Sequence, residues 1–239
     1  MPKKFIGVLA LTALVTLAGP AVPPAAAAPA APLAAASAAA ERILRPGARG
    51  EDVASVQSTL KHLRYFTGEV NSLYAEDLVP AVWGFQKDHG IRPSSAVGPE
   101  TRRALKHPSQ PAPLVRGGAP NRVEVSLGRQ MMSVYRGGRI ALRTHISSGS
   151  GKYYCAAGRC RHATTPTGDF RVFRRVNGWD RAPLGNLYKP LYFLGGFALH
   201  GSIDVPLKPS SHGCIRLPMA LGDLVPQTVK NGWPVHIRR

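Results

Sequence analysis

Acidic side chains are scarce in this chain of 239 residues: 13 Asp and Glu face 31 Lys and Arg, leaving a formal charge of +18. That imbalance excludes an acidic, solvating protein and predicts anionic surroundings, for which nucleic acid and a polyanionic cell wall both qualify. The charge is uneven, since residues 120–239 hold 18 basic and 5 acidic side chains, against 11 and 8 in residues 41–119. Charged residues amount to only 18%, with 44% hydrophobic, which excludes a wholly disordered chain. The apolar run Phe5–Ala18 has 14 residues, short of the roughly 20 that a membrane-spanning helix takes. It follows Lys3 and Lys4 and is broken by Gly19-Pro20, the pattern of a secretory signal, and the Ala/Pro tract beyond it offers A-x-A cleavage sites such as Ala26-Ala27-Ala28. An uncleaved anchor is the alternative. The expectation is an exported protein, extracellular, wall-held or periplasmic, with no stable membrane span once the signal in residues 1–40 is removed.

Cysteine is rarer still, with three in all: Cys155, Cys160 and Cys214. Outside the cytoplasm thiols tend to pair, and an odd number leaves one over. Cys155 and Cys160, with His162 beyond, suggest a metal site, but a fourth ligand is missing from the stretch. A disulfide closing a small loop suits an exported chain better, because so short a loop can bring the two Cα atoms within the span a disulfide needs. No metal is assigned. Cys214 is left as a working thiol.

The remaining residues divide by periodicity. In residues 41–106, Val53, Val56, Leu60 and Leu63 recur at helical spacing behind the acidic start Glu51-Asp52. A second helix carries Leu78, Val82 and Phe85 with Trp83 beside them, and a third opens at Gly98-Pro99 and runs through Leu105. Read in register, Pro46-Gly47, Gly50, Val53, Val56-Gln57 and Leu60, then Val82, Phe85-Gln86 and Gly90-Ile91, then Val97-Gly98 and Thr101, resemble the peptidoglycan-binding three-helix domain. The Asp-Gly usual before the second helix is replaced by Asn71-Ser72-Leu73-Tyr74. Residues 107–120, rich in Pro and Gly, read as a linker.

From Asn121 the period falls to two. Val123, Val125 and Leu127, then Met132 and Val134, lead through Gly137-Gly138 to Ile140, Leu142, Thr144 and Ile146, which predicts a β-hairpin. Phe170–Phe173, the run Leu191–Leu199 and Trp233–Ile237 read as further strands, and Met219–Val225 as a short helix. The fold class expected is α+β multidomain: a small N-terminal three-helix bundle over 41–106 and a mainly β, sandwich-like domain over 121–239.

Within that β half stands Ser210-Ser211-His212-Gly213-Cys214-Ile215-Arg216. A Gly before the Cys permits a tight turn whose backbone N–H groups converge on one point, as an oxyanion hole requires. Cationic or imidazole neighbours lower a thiol pKa. His200, ending an apolar strand upstream, is the candidate base. With His200-Gly201-Ser202 and Thr165-Pro166-Thr167-Gly168-Asp169-Phe170, the block is similar to the catalytic motif of the L,D-transpeptidases. The resemblance implies attack by a cysteine on the L,D bond before the terminal D-Ala of a peptidoglycan tetrapeptide stem, a thioester, and aminolysis by a second stem to a 3-3 cross-link. Carried over, Cys214 is the nucleophile and His200 the base. His212, Gly213 and Cys214 would supply the oxyanion hole, Ser211 would assist the histidine or the loop, and Arg216 would anchor a substrate carboxylate or form a local salt bridge. His62, His89, His107, His145 and His236 are read as structural or surface residues.

No cofactor is implied. The partners implied are peptidoglycan stem peptides and glycan, with anionic wall polymers. Nucleic acid is set aside for want of a motif. An L,D-carboxypeptidase, with water as acceptor, and a non-catalytic basic wall-binding protein are the competing readings. The linker further suggests that the β half works without residues 41–106. Exposed charges are screened over about 10 Å at roughly 0.1 M salt, so sedimentation with wall sacculi should weaken as salt rises. A bound fraction that stays flat from low to high salt would exclude the basic half as the anchor.

Overall fold

Glu51 and Asp52 at the start and Lys61 and His62 at the end of α1 (Glu51–His62) complement its dipole, and Val53, Val56 and Leu60 form its buried stripe. They pack with Leu78, Val82 and Phe85 of α2 (Leu78–Asp88), beside α3 (Pro99–Lys106), whose Pro99 occupies a first-turn position. The computed structural model describes residues 42–156 and 158–239. The secretory-signal reading of residues 1–40 lies outside them, and no described helix is long and apolar enough to cross a membrane.

The unusual Asn71-Ser72 stretch has a physical reason. The buried Gln57 carboxamide accepts from the Asn71 and Ser72 amides (3.1 and 3.0 Å) and donates to Asn71 Oδ1 and the Leu73 carbonyl (2.9 Å each). Held this way, Ser72 takes a left-handed φ of +61°, where glycine is the usual choice.

The β half comprises β1 (Arg122–Ser126), β2 (Met131–Arg136), β3 (Arg139–His145), β4 (Tyr153–Ala156), β5 (Arg159–His162), β6 (Gly168–Arg171), β7 (Arg174–Arg175), β8 (Trp179–Ala182), β9 (Gly185–Leu194), β10 (Phe197–Ser202), β11 (Ile215–Pro218) and β12 (Pro234–Arg238). One sheet runs β3-β2-β1-β12-β6, with β12 parallel to β1. The second runs β11-β10-β9-β7, with β8 on β9 and β11 parallel to β10. Val123, Val125, Met132 and Val134 from the first sheet meet Leu191, Leu199, Ile215 and Leu217 from the second in a common core. A one-turn 3₁₀ segment (Met219–Leu221) and α4 (Leu224–Thr228) lead to β12. Gly137 and Gly138 both have positive φ (+59° and +78°), as a tight hairpin between β2 and β3 demands. The Leu191–Leu199 run is two strands, not one: Gly195 turns at φ +46° and folds β10 back on β9. The run from Val123 to Val134 likewise divides, into β1 and β2.

The segment between the helical and β parts is pinned, not a free tether. The amides of Leu114 and Val115 donate to the buried Glu124 carboxylate (2.7 and 3.4 Å), which Arg122 also binds at 2.7 Å. The two parts also share a buried polar seam. The Asp88 side chain, at the end of α2, is 0% exposed; it accepts from Nε of the Arg143 side chain (2.7 Å), itself 4% exposed, and from the Tyr65 hydroxyl (2.8 Å). Lys87 Nζ donates to His145 Nδ1 (2.7 Å), Trp83 stands edge-on to that imidazole at 5.3 Å, and Met131 of β2 joins the helical core. Burial is the main reason that His145 is pulled down to a pKa of about 4 and Lys87 to about 8. The imidazole is therefore neutral, with Nδ1 accepting from Lys87 and Nε2–H left for the carbonyls of Val205 and Pro206 (3.1 Å each).

Deleting residues 41–106 would uncover Arg143 and His145, so the β half does not have the independence that a Pro/Gly connector suggested. Asp88→Asn, which strands a buried guanidinium, should cost about 3–5 kcal/mol in urea unfolding of the full chain. Asp88→Asn combined with Arg143→Met should cost less than the two single changes added together. Strict additivity would mean that the pair is not coupled.

Candidate active site

His200 lies inside β10 and not at its end, and the parallel pairing of β11 with β10 sets Leu199 beside Ile215 and His200 beside Arg216, so Cys214, entering β11, comes level with Ala198, two residues before His200. Cys214 and His200 both line a cleft of about 830 Å³. The turn before Cys214 is held from three sides. Gly213 has a φ of +132°, its N–H donates to Ser211 Oγ (2.9 Å), and its carbonyl accepts from Thr165 Oγ1 (2.7 Å). Ser211 Oγ also donates to the Cys214 carbonyl (2.5 Å), and the Ser210 and Ser211 amides both reach the Ser148 carbonyl (2.9 Å).

Two expectations about this turn change. The Gly213 amide is already donated inside the turn and cannot also meet an oxyanion; among the described residues, those of His212 and Cys214 are not taken up in the turn. Ser211 bonds the loop backbone and not the imidazole, so its place is in the turn's architecture. Arg216 resolves toward a local contact, with Nη1 2.8 Å from Asp204 Oδ2, while still lining the cleft. His212 is exposed and stacks edge-on with Tyr154 at 4.7 Å.

His200 is buried, and its Nδ1 lies 2.9 Å from the Gly201 carbonyl. A carbonyl only accepts, so Nδ1 carries the proton and Nε2 keeps its lone pair. Burial lowers the pKa of His200 to about 4, with the positive Arg216 acting the same way. Burial also raises the Cys214 thiol, against a hydrogen bond from the Ala198 backbone and the charge of Arg216. The thiol donates to the Gly196 carbonyl at 3.6 Å. At neutral pH the resting pair is therefore thiol and neutral imidazole. The sequence pointed to a lowered thiol pKa through its basic neighbours; desolvation outweighs them.

Residues 120–237 match the L,D-transpeptidase catalytic domain, and residues 49–105 match a peptidoglycan-binding domain. The crystal structure of the L,D-transpeptidase from Xylanimonas cellulosilytica DSM 15894 is similar at a TM-score of 0.78 and 34% identity, over 82% of this chain and 98% of that one. The chain belongs to the L,D-transpeptidase family. The N-acetylmuramoyl-L-alanine amidase CwlM of Mycobacterium tuberculosis is 32% identical over 74 residues, and the match takes in 18% of its length.

In this L,D-transpeptidase, β4 and β5 form a separate ribbon beside Cys214, with Cys155 bonded to Cys160. Thr165 is the residue whose role sequence reading missed: it is buried, accepts from the Gly149 amide (2.8 Å) and so ties the Cys214 turn to the strand region after β3. Its presence in Thr165-Pro166-Thr167-Gly168 was the available signal. Because the thiol pKa is raised, iodoacetamide labelling of Cys214 should keep climbing about tenfold per pH unit from neutrality past the ordinary thiol value of roughly 8.5. A plateau near pH 7 would reveal a standing thiolate–imidazolium pair.

Proposed function

We propose that this chain is an exported cell-wall L,D-transpeptidase that acts on peptidoglycan tetrapeptide stems through Cys214 and His200. The observation that carries the reading is the shared cleft of a thiol on a left-handed Gly turn and a buried imidazole whose Nδ1 proton is committed to the Gly201 carbonyl. Cys214 Sγ attacks the carbonyl carbon before the terminal D-Ala while its proton passes to His200 Nε2. The negative charge that develops on the carbonyl oxygen meets the backbone amides of Cys214 and His212. Collapse of this intermediate breaks the C–N bond, and the imidazolium returns the proton to the leaving D-Ala amine, leaving a thioester on Cys214. The amine of a second stem attacks the thioester, loses its proton through His200, and restores the thiol as the new amide forms.

A neutral resting pair suits this sequence, because the proton moves only as the carbon–sulfur bond forms and no buried charge has to be held in the free enzyme. The Cys155–Cys160 bond fits an oxidising exterior. The helical part would bring the peptidoglycan glycan close to the cleft, and the basic β half would favour anionic wall polymers nearby.

Mass spectrometry of the full chain with a disaccharide-tetrapeptide should show loss of D-Ala and a cross-linked dimer. Cys214→Ser should form no adduct, and His200→Gln should slow acylation by about 10²–10⁴-fold. Tripeptide without dimer would assign hydrolysis instead, and unchanged turnover in Cys214→Ser would overturn the mechanism.

A further inference from the structure

Two chains of hydrogen bonds start at Lys87 of α2, and both end at the loop that carries Cys214. Lys87 Nζ donates to His145 Nδ1 (2.7 Å) and to the Gln130 carbonyl (3.2 Å). An ammonium has three donors and no acceptor, so one lysine can hold two acceptors at once. Neither acceptor belongs to the helical part: His145 closes β3, and Gln130 lies in the turn between β1 and β2.

The first chain runs through His145, whose imidazole is fully buried and meets the carbonyls of Val205 and Pro206 (3.1 Å each). That stretch joins β10 to the catalytic turn, and its Asp204 binds Arg216, just beyond Cys214, at 2.8 Å. The second chain runs through Gln130, which is also buried. Its carboxamide accepts from the Ser148 amide (2.9 Å) and donates to Ser148 Oγ (2.8 Å). The Ser148 carbonyl in turn accepts from the amides of Ser210 and Ser211 (2.9 Å each), and the Ser211 hydroxyl bonds the Gly213 amide and the Cys214 carbonyl. The Gln130 backbone has a left-handed φ of +50°, and its carbonyl also accepts from the Ile146 amide (3.1 Å). A side-chain-bearing residue keeps such a conformation only where its surroundings over-determine it, and Lys87 is one of the groups that hold it there.

We propose that Lys87 is a positioning residue for the reaction at Cys214: by gripping His145 and Gln130 it fixes the chain on both sides of the catalytic turn, so that the helical part sets how fast Cys214 is acylated. The inference rests on the reading of Cys214 as the attacking group. Lys87, His145 and Gln130 are absent from the residues lining the cleft, so the effect passes through the turn and not through contact with substrate. Its loss therefore belongs in kcat and leaves KM alone.

The test uses the full chain with Lys87→Met and the milder Lys87→Gln, which keeps the question open should the first fail to fold. Lys61→Met is the matched control, since Lys61 Nζ also donates to a carbonyl within the helical part, that of Gly68 (2.8 Å), but away from the β half. Hydrogen exchange should show the Ser210 and Ser211 amides opening about tenfold faster in the Lys87 variants. D-Ala release from a disaccharide-tetrapeptide should fall about 10–100-fold in kcat with KM within about twofold, because small misplacements of an attacking group are costly. Iodoacetamide labelling of Cys214 at neutral pH should rise as water reaches the loosened thiol, so that labelling and turnover move in opposite directions. Lys87→Arg, which keeps donors for both acceptors, should recover part of kcat, and Lys61→Met should match wild type in every readout. Unchanged exchange at Ser210 and Ser211 in the Lys87 variants, or equal effects in Lys61→Met, would overturn the proposal. Wild type that labels at Cys214 yet releases no D-Ala would overturn the transpeptidase reading instead, while the exchange and labelling results would still judge the positioning role.

Discussion

Gly213 occupies a place that admits no side chain. A Cβ there would lie 2.5 Å from the Phe197 ring and 3.1 Å from the Thr164 carbonyl, and the local φ of +132° is one that L side chains rarely adopt. With glycine present, the chain passes close under Phe197 and turns sharply enough to deliver Cys214 to the mouth of β11. Gly149 makes a matching demand, since a Cβ there would fall 2.2 Å from the Ala163 carbonyl. Two tight backbone approaches and the hydroxyls of Ser211 and Thr165 thus locate the thiol before any substrate is present, which is what preorganisation means at an attacking group.

Burial then sets the protonation state. The same packing that fixes Cys214 and His200 removes water from them, and desolvation works against both ionised forms, so the pair rests uncharged. The seam under the helical part follows a different logic. Asp88 and Arg143 form an ion pair in the interior, with Lys87 bonded beside it to His145 and the Gln130 carbonyl, and such groups are costly unless each finds its partner. Through His145 the seam reaches the carbonyls of Val205 and Pro206, in the loop whose Asp204 holds Arg216. The helical part is therefore a structural wall of the catalytic half as well as a neighbour in sequence.

Much of this was legible in the residues. The apolar stripe of Val53, Val56 and Leu60 and the Gly137-Gly138 hairpin follow from local periodicity, and the Ser211–Arg216 block is compact enough to be read directly. The break at Gly195 was harder, because Leu191–Leu199 is apolar on both sides of a turn marked only by two glycines. The seam was invisible for a simpler reason. Asp88 and Arg143 are far apart in sequence, and each alone looks like a surface charge. The resting state of Cys214 was misjudged because neighbouring charges can be read from a sequence while the depth of burial cannot.

The order of strands in the first sheet has a consequence for how the chain is made. Strand β12 lies between β1 and β6, pairing Val123 with Val235 on one side and Phe170 with Val235 on the other. Until that late stretch is available, β1 and β6 have no common neighbour, and the sheet exists only as an N-terminal meander and a detached strand. Such distant pairing makes closure slow compared with local helix formation. During synthesis from the N-terminus the three-helix part can fold early, while the β half stays open until Pro234–Arg238 arrives. The catalytic turn, whose Cys214 leads into β11, is thus assembled in a half whose first sheet closes only when the last strand is in place.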